Sequence, residues 1–372
     1  MMQIFFRIPI YTNFTPDGIP VYGFGLMLFI AFIVCTWLAG KRASQNSIQP
    51  QIIHDLSVWI FIAGLLGARS LFLYEQKLSF YEFLINFPRI WDGGIILYGS
   101  VAGGVTGFLA FWFLVLRKQA IAPFLVLDIL MPSVALGIAL GRIGCLFNGC
   151  CFGQIVEPSQ PAFAIHFPLP APARYDLVRT GLQTGMGFTF AEVQNNSGAV
   201  VGKVEPNSEA QKAGIKSGDI ITEAEGLPIL SPFELSMILN SDWPRGKKSI
   251  SLKIQGKQDL VFEPHGLGLH PAQLYETTSM LLLLFLLLSF EPFQTRVGQL
   301  TCLMMMAYAV HRFLNELLRS DPRPVSLESN VSVFLFLAGL LLLIYLHFFG
   351  GKVQSTELLQ QKIQSNPDHN PA

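Results

Sequence analysis

The chain has 372 residues, of which 51% are hydrophobic and 13% are charged, and its formal net charge is zero. Soluble globular domains carry about a quarter charged residues, so this composition is typical of a polytopic membrane protein. A balanced charge without a basic run gives no indication of nucleic-acid binding. The five cysteines are not the even, regularly spaced set of a small disulfide-stabilised secreted domain.

Apolar segments long enough to cross a membrane recur along the chain. A helix needs about 20 mostly apolar residues to cross about 30 Å of hydrocarbon. We expect the first span to remain as an anchor, because no signal-peptide cleavage pattern accompanies it. We expect the fourth to be the weakest, because Pro132 and several glycines interrupt it, although membrane helices tolerate both residue types. The seven predicted spans are 20–40, 53–74, 95–116, 123–146, 271–290, 297–317 and 330–349.

Basic residues in the short loops indicate how these spans are oriented, because Lys and Arg collect on the cytoplasmic side. Lys41, Arg117, Arg296 and Lys352 all fall on one side of the predicted bundle. The opposite side also carries basic residues, so the bias is moderate. We expect the N-terminus outside the cell, the C-terminus in the cytoplasm and a polar cytoplasmic tail at 351–372.

A segment of about 120 residues separates the fourth and fifth spans and is far too polar to be a span. Residues 199–204 read as a strand, 209–213 as a short helix ended by Gly214, and the chain then turns into another strand. The stretch from 204 to 221 reads Val-Glu-Pro-Asn-Ser-Glu-Ala-Gln-Lys-Ala-Gly-Ile-Lys-Ser-Gly-Asp-Ile-Ile. This pattern resembles the PDZ family.

The PDZ resemblance implies a small α+β domain at 185–264 that binds the C-terminus of an exported peptide. Such a peptide adds a strand to the sheet while consecutive backbone N–H groups hold its carboxylate. The helix expected at 232–240 would form the other wall of the binding groove. The alternative is a folded insert that binds nothing and only stiffens the loop. The implied carboxylate-binding loop consists of Gly185, Met186, Gly187 and Phe188.

Four polar motifs lie at the predicted outer ends of the spans. Ionisable residues cost about 2.5–3.5 kcal/mol at the bilayer centre, so they usually face a cavity and mark function. Any one motif alone is as well explained by a helix end anchored by snorkelling side chains. Four on one side predict a polar, partly basic cavity that opens outward. The motifs occupy 93–99, 141–153, 270–276 and 308–319.

In this order the motifs resemble the prolipoprotein diacylglyceryl transferase family. The resemblance covers a discontinuous membrane domain, 1–180 and 265–350, and leaves out the insert and the tail. It implies seven spans in the bacterial cytoplasmic (inner) membrane, an active site on the outer, periplasmic face, and neither cofactor nor metal. The family transfers the diacylglyceryl group of phosphatidylglycerol to the lipobox cysteine thiol of a prolipoprotein and releases glycerol phosphate.

The chemistry of that reaction suggests roles for individual residues. The attacking thiol reacts as a thiolate, and the phosphate leaving group needs cationic stabilisation. Arg142 and Arg312 would bind the phosphate, Glu316 would orient Arg312 from one turn away, and Tyr98 occupies the family's usual His position. The substrate-binding residues implied by the resemblance are Arg69, Asn148, Gly149, Gly153, His270, Gln273 and Tyr308.

The sequence departs from the family pattern at several positions. Tyr98 replaces a His, Phe24 replaces a Tyr, and Cys145 and Cys150 replace an Asn and a Glu. Tyrosine, with an ordinary pKa near 10, is a poorer base than histidine at neutral pH. These departures leave open a non-catalytic scaffold of the same fold that binds lipid or lipoprotein. An intramembrane protease with a PDZ insert is disfavoured because the sequence contains no H-E-x-x-H.

Cys145, Cys150 and Cys151 admit three interpretations. Together with His166 or His270 they supply enough ligands for a metal ion, but their spacing matches no zinc pattern. A disulfide at the outer face is the second interpretation, and packing in a glycine-rich turn is the third. We expect no metal.

Overall fold

Contacts between chain segments divide the protein into two compact units. The first comprises Met1–Ile30, Ile138–Met280 and Val310–Ser332, and the second comprises Ala31–Gly137, Leu281–Ala309 and Val333–Ala372. Several long helices contribute one part to each unit. The computed structural model describes residues 4–8, 19–88, 96–157, 163–167, 171–179, 186–191, 198–240, 249–264, 267–319 and 325–351.

Long helices account for most of the described chain. Seven have at least 18 residues, and four are short. In chain order they are α1 Gly23–Gln45, α2 Pro50–Glu75, α3 Phe80–Asn86, α4 Leu97–Leu114, α5 Pro123–Asn148, α6 Pro172–Arg179, α7 Glu209–Lys212, α8 Pro232–Asn240, α9 Ala272–Phe290, α10 Gln299–Glu316 and α11 Val325–Phe349.

Five helices in the described part of the chain are long and apolar enough to cross a membrane. These are α1, α2, α5, α9 and α11, and they coincide with five of the seven predicted spans. The helix α4 is apolar but shorter, and α10 carries Arg312 and Glu316 within its 18 residues. The chain is therefore a polytopic helical membrane protein, as its composition predicts.

The expectation that the fourth span is the weakest was wrong. Its helix, α5, runs for 26 residues with a mean hydropathy of 2.1, equal to that of α1. Pro132 lies inside α5 without ending it. Helices in membranes tolerate proline because neighbouring helices and polar side chains satisfy the backbone groups that it leaves unbonded.

In the second unit, α2 and α4 pack closely through glycine. A Cβ added at Gly67 would clash with the carbonyl oxygen of Gly99, and one at Gly103 would clash with that of Ala63. Small residues at membrane helix interfaces allow two backbones to approach this closely. Gly67 and Gly103 are therefore packing residues.

The second unit also contains a buried polar network, here called the Asp128 cluster: Arg42, Asp128, Glu291, Gln294 and Thr301. Arg42 donates to the carbonyls of Asp128 and Ile129, each at 3.1 Å, and to Glu291 Oε2 at 2.5 Å. The Asp128 carboxylate accepts hydrogen bonds from the backbone and hydroxyl of Thr301, from Gln294 Nε2 and from the backbone of Gly298. The network ties α1, α5 and α10 together.

The described residues of the first unit include eight strands. The strands β1 Ile4–Ile8 and β2 Ile19–Tyr22 form an antiparallel pair before α1. The other six form one sheet in the order β3-β4-β5-β7-β8, in which β6 pairs with β5, and every pairing is antiparallel. They are β3 Phe188–Phe190, β4 Ala199–Val204, β5 Ile220–Ala224, β6 Leu227–Pro228, β7 Ile250–Ile254 and β8 Leu260–Phe262.

This sheet, with α7 and α8, is the folded insert. The expected strand at 199–204 and helix at 232–240 are both present. The short helix α7 ends at Lys212, and Gly214, which follows the C-cap residue Ala213, has a φ of +89°, the left-handed conformation that favours glycine after a helix C-terminus. A core of fully buried apolar side chains fills the insert, including Phe188, Val201, Ile221 and Leu235.

Candidate active site

A buried carboxylate, Glu276, lies at the centre of the charged residues of the first unit. Its side chain is 1% exposed and forms ion pairs with Arg142 and, at 3.4 Å, with Arg319. Arg312 also interacts with Glu276 electrostatically and pairs with Glu316 at 3.5 Å across one turn of α10. These five residues are called the Glu276 cluster.

Two of the three arginines in this cluster are accessible. Arg312 and Arg142 are 18% and 13% exposed, whereas Arg319 is 5% exposed. An arginine presents planar donors that bind a phosphate through two parallel hydrogen bonds. Arg142 and Arg312 are therefore the more exposed cations of the cluster, and Arg319 is a buried counter-charge to Glu276.

The end of α5 places the Cys145 segment beside α9 through a defined C-terminal motif. Gly149, with a φ of +68°, donates to the carbonyl of Leu146, and Cys150 donates to the carbonyl of Cys145 at 3.1 Å. This bonding pattern is the Schellman motif, which brings the residue after the glycine against the last turn of the helix. Gln273, fully buried in α9, then donates to the Cys150 carbonyl at 2.6 Å.

The three clustered cysteines are free thiols whose sulfur atoms all lie within 4.8 Å of one another. The pKa of the Cys151 thiol is lowered by hydrogen bonds with Cys145 and Cys150, with a further contribution from the positive charges of Arg319 and Arg142. The cysteines therefore lie next to the cationic cluster.

Gly153 brings the segment after the cysteines against the start of α9. Its backbone donates to the carbonyl of His270 at 2.9 Å, and a Cβ at this position would lie 2.7 Å from that oxygen. His270 Nδ1 is 3.1 Å from the Tyr275 hydroxyl. Asn148 is in the same unit, and its Oδ1 is buried with no hydrogen-bond partner among the described residues.

A family model described as prolipoprotein diacylglyceryl transferase matches residues 9–345. The chain belongs to this family. The matched range includes all three segments of the Glu276 cluster and the insert between the first two.

Curated members of the family resemble parts of the chain. The phosphatidylglycerol–prolipoprotein diacylglyceryl transferase of Rhodopirellula baltica is 32% identical over 219 residues, which cover 56% of this chain and 43% of that protein. The transferase of Thermosynechococcus vestitus is 32% identical over 40% of this chain and 52% of its own length. The transferase of Synechocystis is 32% identical over 45% of this chain and 57% of its own length. The chain thus spans about half the length of the curated relatives it matches.

A crystal structure of a PDZ domain protein from Parabacteroides distasonis resembles a part of this family member. The similarity covers 21% of this chain and 19% of that one, at 28% identity and a TM-score of 0.18. A score this low carries no weight for the fold of the insert, whose description rests on its own strand order.

Several residues implied by family membership belong to the second unit. Arg69 is buried in α2, donates to the Asn86 carbonyl at 2.7 Å and stacks on Phe72 at 5.5 Å. Tyr98, the second residue of α4, has 56% of its surface exposed, and Tyr308 is half-buried in α10. Gly93 and Gly94 of the first motif lie outside the described residues.

In the loop proposed to bind a peptide, Met186 and Phe188 are fully buried in the core of the insert, and Gly187 has a φ of +83°. Gly185 lies outside the described residues. The buried side chains leave the backbone of this loop as the part that a ligand would contact.

Sequence reasoning missed three polar residues of the first unit. Glu276 and Arg319 stand in the motifs but were given no role, although a charge within or beside a span is itself a signal. His311 was also missed; its Nδ1 is 2.8 Å from the Ser279 hydroxyl, and it interacts electrostatically with Arg142 and Arg312. Phe24, where the family usually has a Tyr, packs against Gly144 of the Arg142 segment.

Proposed function

We propose that this family member transfers the diacylglyceryl group of phosphatidylglycerol to the lipobox cysteine thiol of prolipoproteins and releases glycerol phosphate. The observation that carries the proposal is the Glu276 cluster, in which two partly exposed arginines flank a buried carboxylate. A phospholipid phosphate would bind Arg142 and Arg312. The names of the matched relatives support the same reaction.

The arginines would act by stabilising the negative charge that develops during the reaction. In the transition state the bond between the glyceryl carbon and the phosphate oxygen breaks, and negative charge develops on that oxygen. Fixed cations directed at such an oxygen lower the barrier, because they need no reorganisation during the reaction. Glu316 holds Arg312 in position, and Tyr98 donates a hydrogen bond to substrate. The remaining substrate contacts are assigned to Arg69, Asn148, Gly149, Gly153, His270, Gln273 and Tyr308.

The proposed topology has seven spans in the bacterial inner membrane, the N-terminus outside and the C-terminal tail, 351–372, inside. The helices α4 and α10 supply the two additional spans; each has 18 residues, about 27 Å at 1.5 Å per residue. The membrane domain comprises 1–180 and 265–350, and the Glu276 cluster and the insert lie on the periplasmic side. Labelling of single cysteines at the helix ends from each side of the membrane tests this topology.

The reaction is tested by rescue and by product release. The wild-type chain should restore growth to a bacterium lacking its own transferase, and the purified protein should release glycerol phosphate from phosphatidylglycerol when a lipobox peptide is present. Arg312→Ala should lower the release by at least about 100-fold, as expected for losing one charge-stabilising donor. Arg117→Ala is the matched control, since Arg117 is exposed in the second unit.

The outcome that contradicts the proposal is a wild-type protein that neither rescues growth nor releases glycerol phosphate, although it is folded in the membrane. Equal release by wild type and Arg312→Ala would exclude the proposed role of the cluster.

We also propose that the insert, 185–264, is a PDZ-like domain that binds the C-terminus of an exported polypeptide. The strand β3 stands at the end of the strand order and follows the Gly187 turn. A peptide strand adds to such an edge through backbone hydrogen bonds. On α8, Phe233 and Met237 are 71% and 40% exposed and lie one turn apart, where they would contact the peptide's apolar side chains.

The insert proposal is tested by peptide binding to the full chain. Phe233→Ser should weaken binding of a peptide with an apolar C-terminal residue by about tenfold or more, since burying such a side chain contributes about 1.5–3 kcal/mol. Val261→Ser, at a residue equally exposed but on β8, is the control. Deletion of 185–264 without any change in substrate range or rate would overturn the proposed role.

A further inference from the structure

The three clustered thiols have the spacing of a metal-binding set. The sulfur atoms of Cys145, Cys150 and Cys151 all lie within 4.8 Å of one another, and all three side chains are partly buried. Sulfur ligands at 2.3 Å from a tetrahedral zinc ion are about 3.8 Å apart, so contraction by about 1 Å would complete the site. The spacing in sequence matches no zinc pattern because two ligands are adjacent.

The backbone explains how adjacent cysteines come to share one site. The Schellman motif around Gly149 places Cys150 against Cys145, one turn before the end of α5. Cys151 has a φ of +60°, in the left-handed region that residues other than glycine seldom adopt. Neighbouring side chains in an extended chain point in opposite directions, and this turn brings the third sulfur to the same side as the other two.

The surrounding charge suits an anionic metal complex. Three thiolates around a divalent cation carry a net negative charge, and Arg142 and Arg319 both interact electrostatically with Cys151. Arg142 interacts with Cys145 as well. Thiolate ligands select soft ions of the Zn²⁺ and Cu⁺ type over Mg²⁺ or Ca²⁺.

We propose that Cys145, Cys150 and Cys151 bind Zn²⁺ and leave a fourth position in which the substrate thiol binds as a thiolate. Among the residues that the structure describes, no fourth His, Cys, Asp or Glu joins this group. Three protein ligands with one open position are the arrangement of catalytic zinc sites. The role of the open position rests on the proposed transfer reaction.

The site supplies the deprotonation for which Tyr98 is poorly suited. A thiol that coordinates zinc loses its proton, here to a water molecule of the bulk solvent. The substrate sulfur then donates an electron pair to the glyceryl carbon and forms the C–S bond. The C–O bond to the phosphate breaks, and its electron pair leaves with the glycerol phosphate oxygen beside Arg142. Zinc keeps its oxidation state throughout.

The metal site is tested on the purified, reduced full chain. Wild type should bind one Zn²⁺ per chain and, when loaded with Co²⁺, should show thiolate-to-cobalt charge-transfer absorption. The combined C145A, C150A and C151A variant should lose both signals. Cys35→Ala is the matched control, because Cys35 is also partly buried but lies in the second unit. Metal binding that survives in the triple variant, or is absent from wild type, overturns the site.

The open position is tested with substrate. A lipobox peptide should shift the absorption of the cobalt form, and the same peptide with Ser in place of Cys should not. A cysteine is only a few per cent thiolate at pH 7, so the triple variant should transfer about 20–50-fold more slowly at that pH and approach wild type near pH 9. Equal rates at pH 7 overturn the activating role and leave the transfer reaction intact.

Two further outcomes separate the proposals. Zinc binding and a peptide-induced spectral shift, without any transfer by wild type, support the site and overturn the proposed function. The protein could also purify with two of the three cysteines joined in a disulfide. If a reductant opens that disulfide and zinc still does not bind, the zinc site is overturned in favour of a redox-active pair.

Discussion

The Asp128 cluster and the Glu276 cluster are both buried networks of charge in a membrane protein, yet they are completed in different ways. In the Asp128 cluster the carboxylate accepts four hydrogen bonds, and Arg42 donates to two carbonyls and a second carboxylate. In the Glu276 cluster three arginines face two glutamates, which leaves a net positive charge.

Neutral polar groups without a partner occur in both units, since Trp112 Nε1 and Ser133 Oγ of the second unit are also buried without a hydrogen bond among the described residues. In the unit that holds the Glu276 cluster, Gln273 Oε1, Asn148 Oδ1 and Asn315 Nδ2 are buried without a hydrogen-bond partner among the described residues. Buried polar groups are nearly always satisfied, so such exceptions call for an explanation. A saturated network stabilises a fold, whereas one with remaining charge and hydrogen-bonding capacity can bind a ligand.

The largest effect should come from Glu276→Gln. This change leaves Arg142 and Arg319 near an uncharged amide, and a buried cation without its counter-charge loses its position. We expect glycerol phosphate release per folded molecule to fall by at least about 100-fold. Glu291→Gln in the Asp128 cluster is the control and should change the rate by less than about threefold, because Glu291 is 30% exposed. Equal losses would remove the distinction between the clusters.

Asp128→Ala should lower stability more than activity. Breaking a buried charged network by removing one partner costs about 3–5 kcal/mol. We expect a clearly lower Tm in detergent, with the transfer rate of the folded fraction within about twofold of wild type. Glu316→Gln should do the reverse, with little change in Tm, since the Arg312–Glu316 pair is partly exposed. A normal Tm for Asp128→Ala would show that the saturated network is not stabilising.

Gly103→Leu tests whether packing stabilises the second unit alongside the Asp128 cluster. A Cβ at Gly103 would clash with the Ala63 carbonyl, whereas one at Gly104 would meet just Ile60, at 3.6 Å. Overpacking costs about 1–3 kcal/mol, so Gly103→Leu should lower the Tm, and Gly104→Leu should leave it nearly unchanged. Similar melting of both variants would show that α2 and α4 pack less closely than described.

The smallest effect should be on the pH dependence of the insert's stability. Burial raises the pKa of Glu205, while Arg174, His166 and Lys203 act in the opposite direction. A raised folded-state pKa means that stability is fully present below the ordinary Glu value and declines as pH rises through the folded value. Glu205→Gln should abolish this decline in hydrogen exchange of the β4 amides of the full chain. The exposed Glu223→Gln is the control, and an unchanged profile in Glu205→Gln would refute the assignment.

The sequence predicts the local parts of this protein better than the distant contacts. The Arg312–Glu316 pair follows from a spacing of four on one helix. The contact of Glu276 with Arg142 and Arg319 joins three segments that are far apart in sequence, so no periodicity reveals it. Pro132 shows the opposite error, since the prediction of a weak span at this proline gave too little weight to the tolerance of membrane helices for proline.

The cysteine cluster lies between these cases. Gly149 followed by Cys150 after a helix is a recognisable Schellman signal, which pairs Cys150 with Cys145. The left-handed conformation of Cys151 has no comparable signal, because glycine and asparagine are the residues that normally adopt it. The sequence groups the three cysteines, but it does not predict the backbone conformation that places the third sulfur beside the other two.

The chain segments on either side of the insert are joined by backbone hydrogen bonds. Gly153 and Val156 donate to the carbonyls of His270 and Gly268, and Leu269 exchanges two hydrogen bonds with Ile165. Ile165 and Leu269, which flank the segment containing α6 and the insert, are therefore adjacent. An evolving gene can gain, exchange or lose a cassette at such a junction without stretching the helices on either side, and an engineer can replace this insert with another domain whose ends lie equally close together.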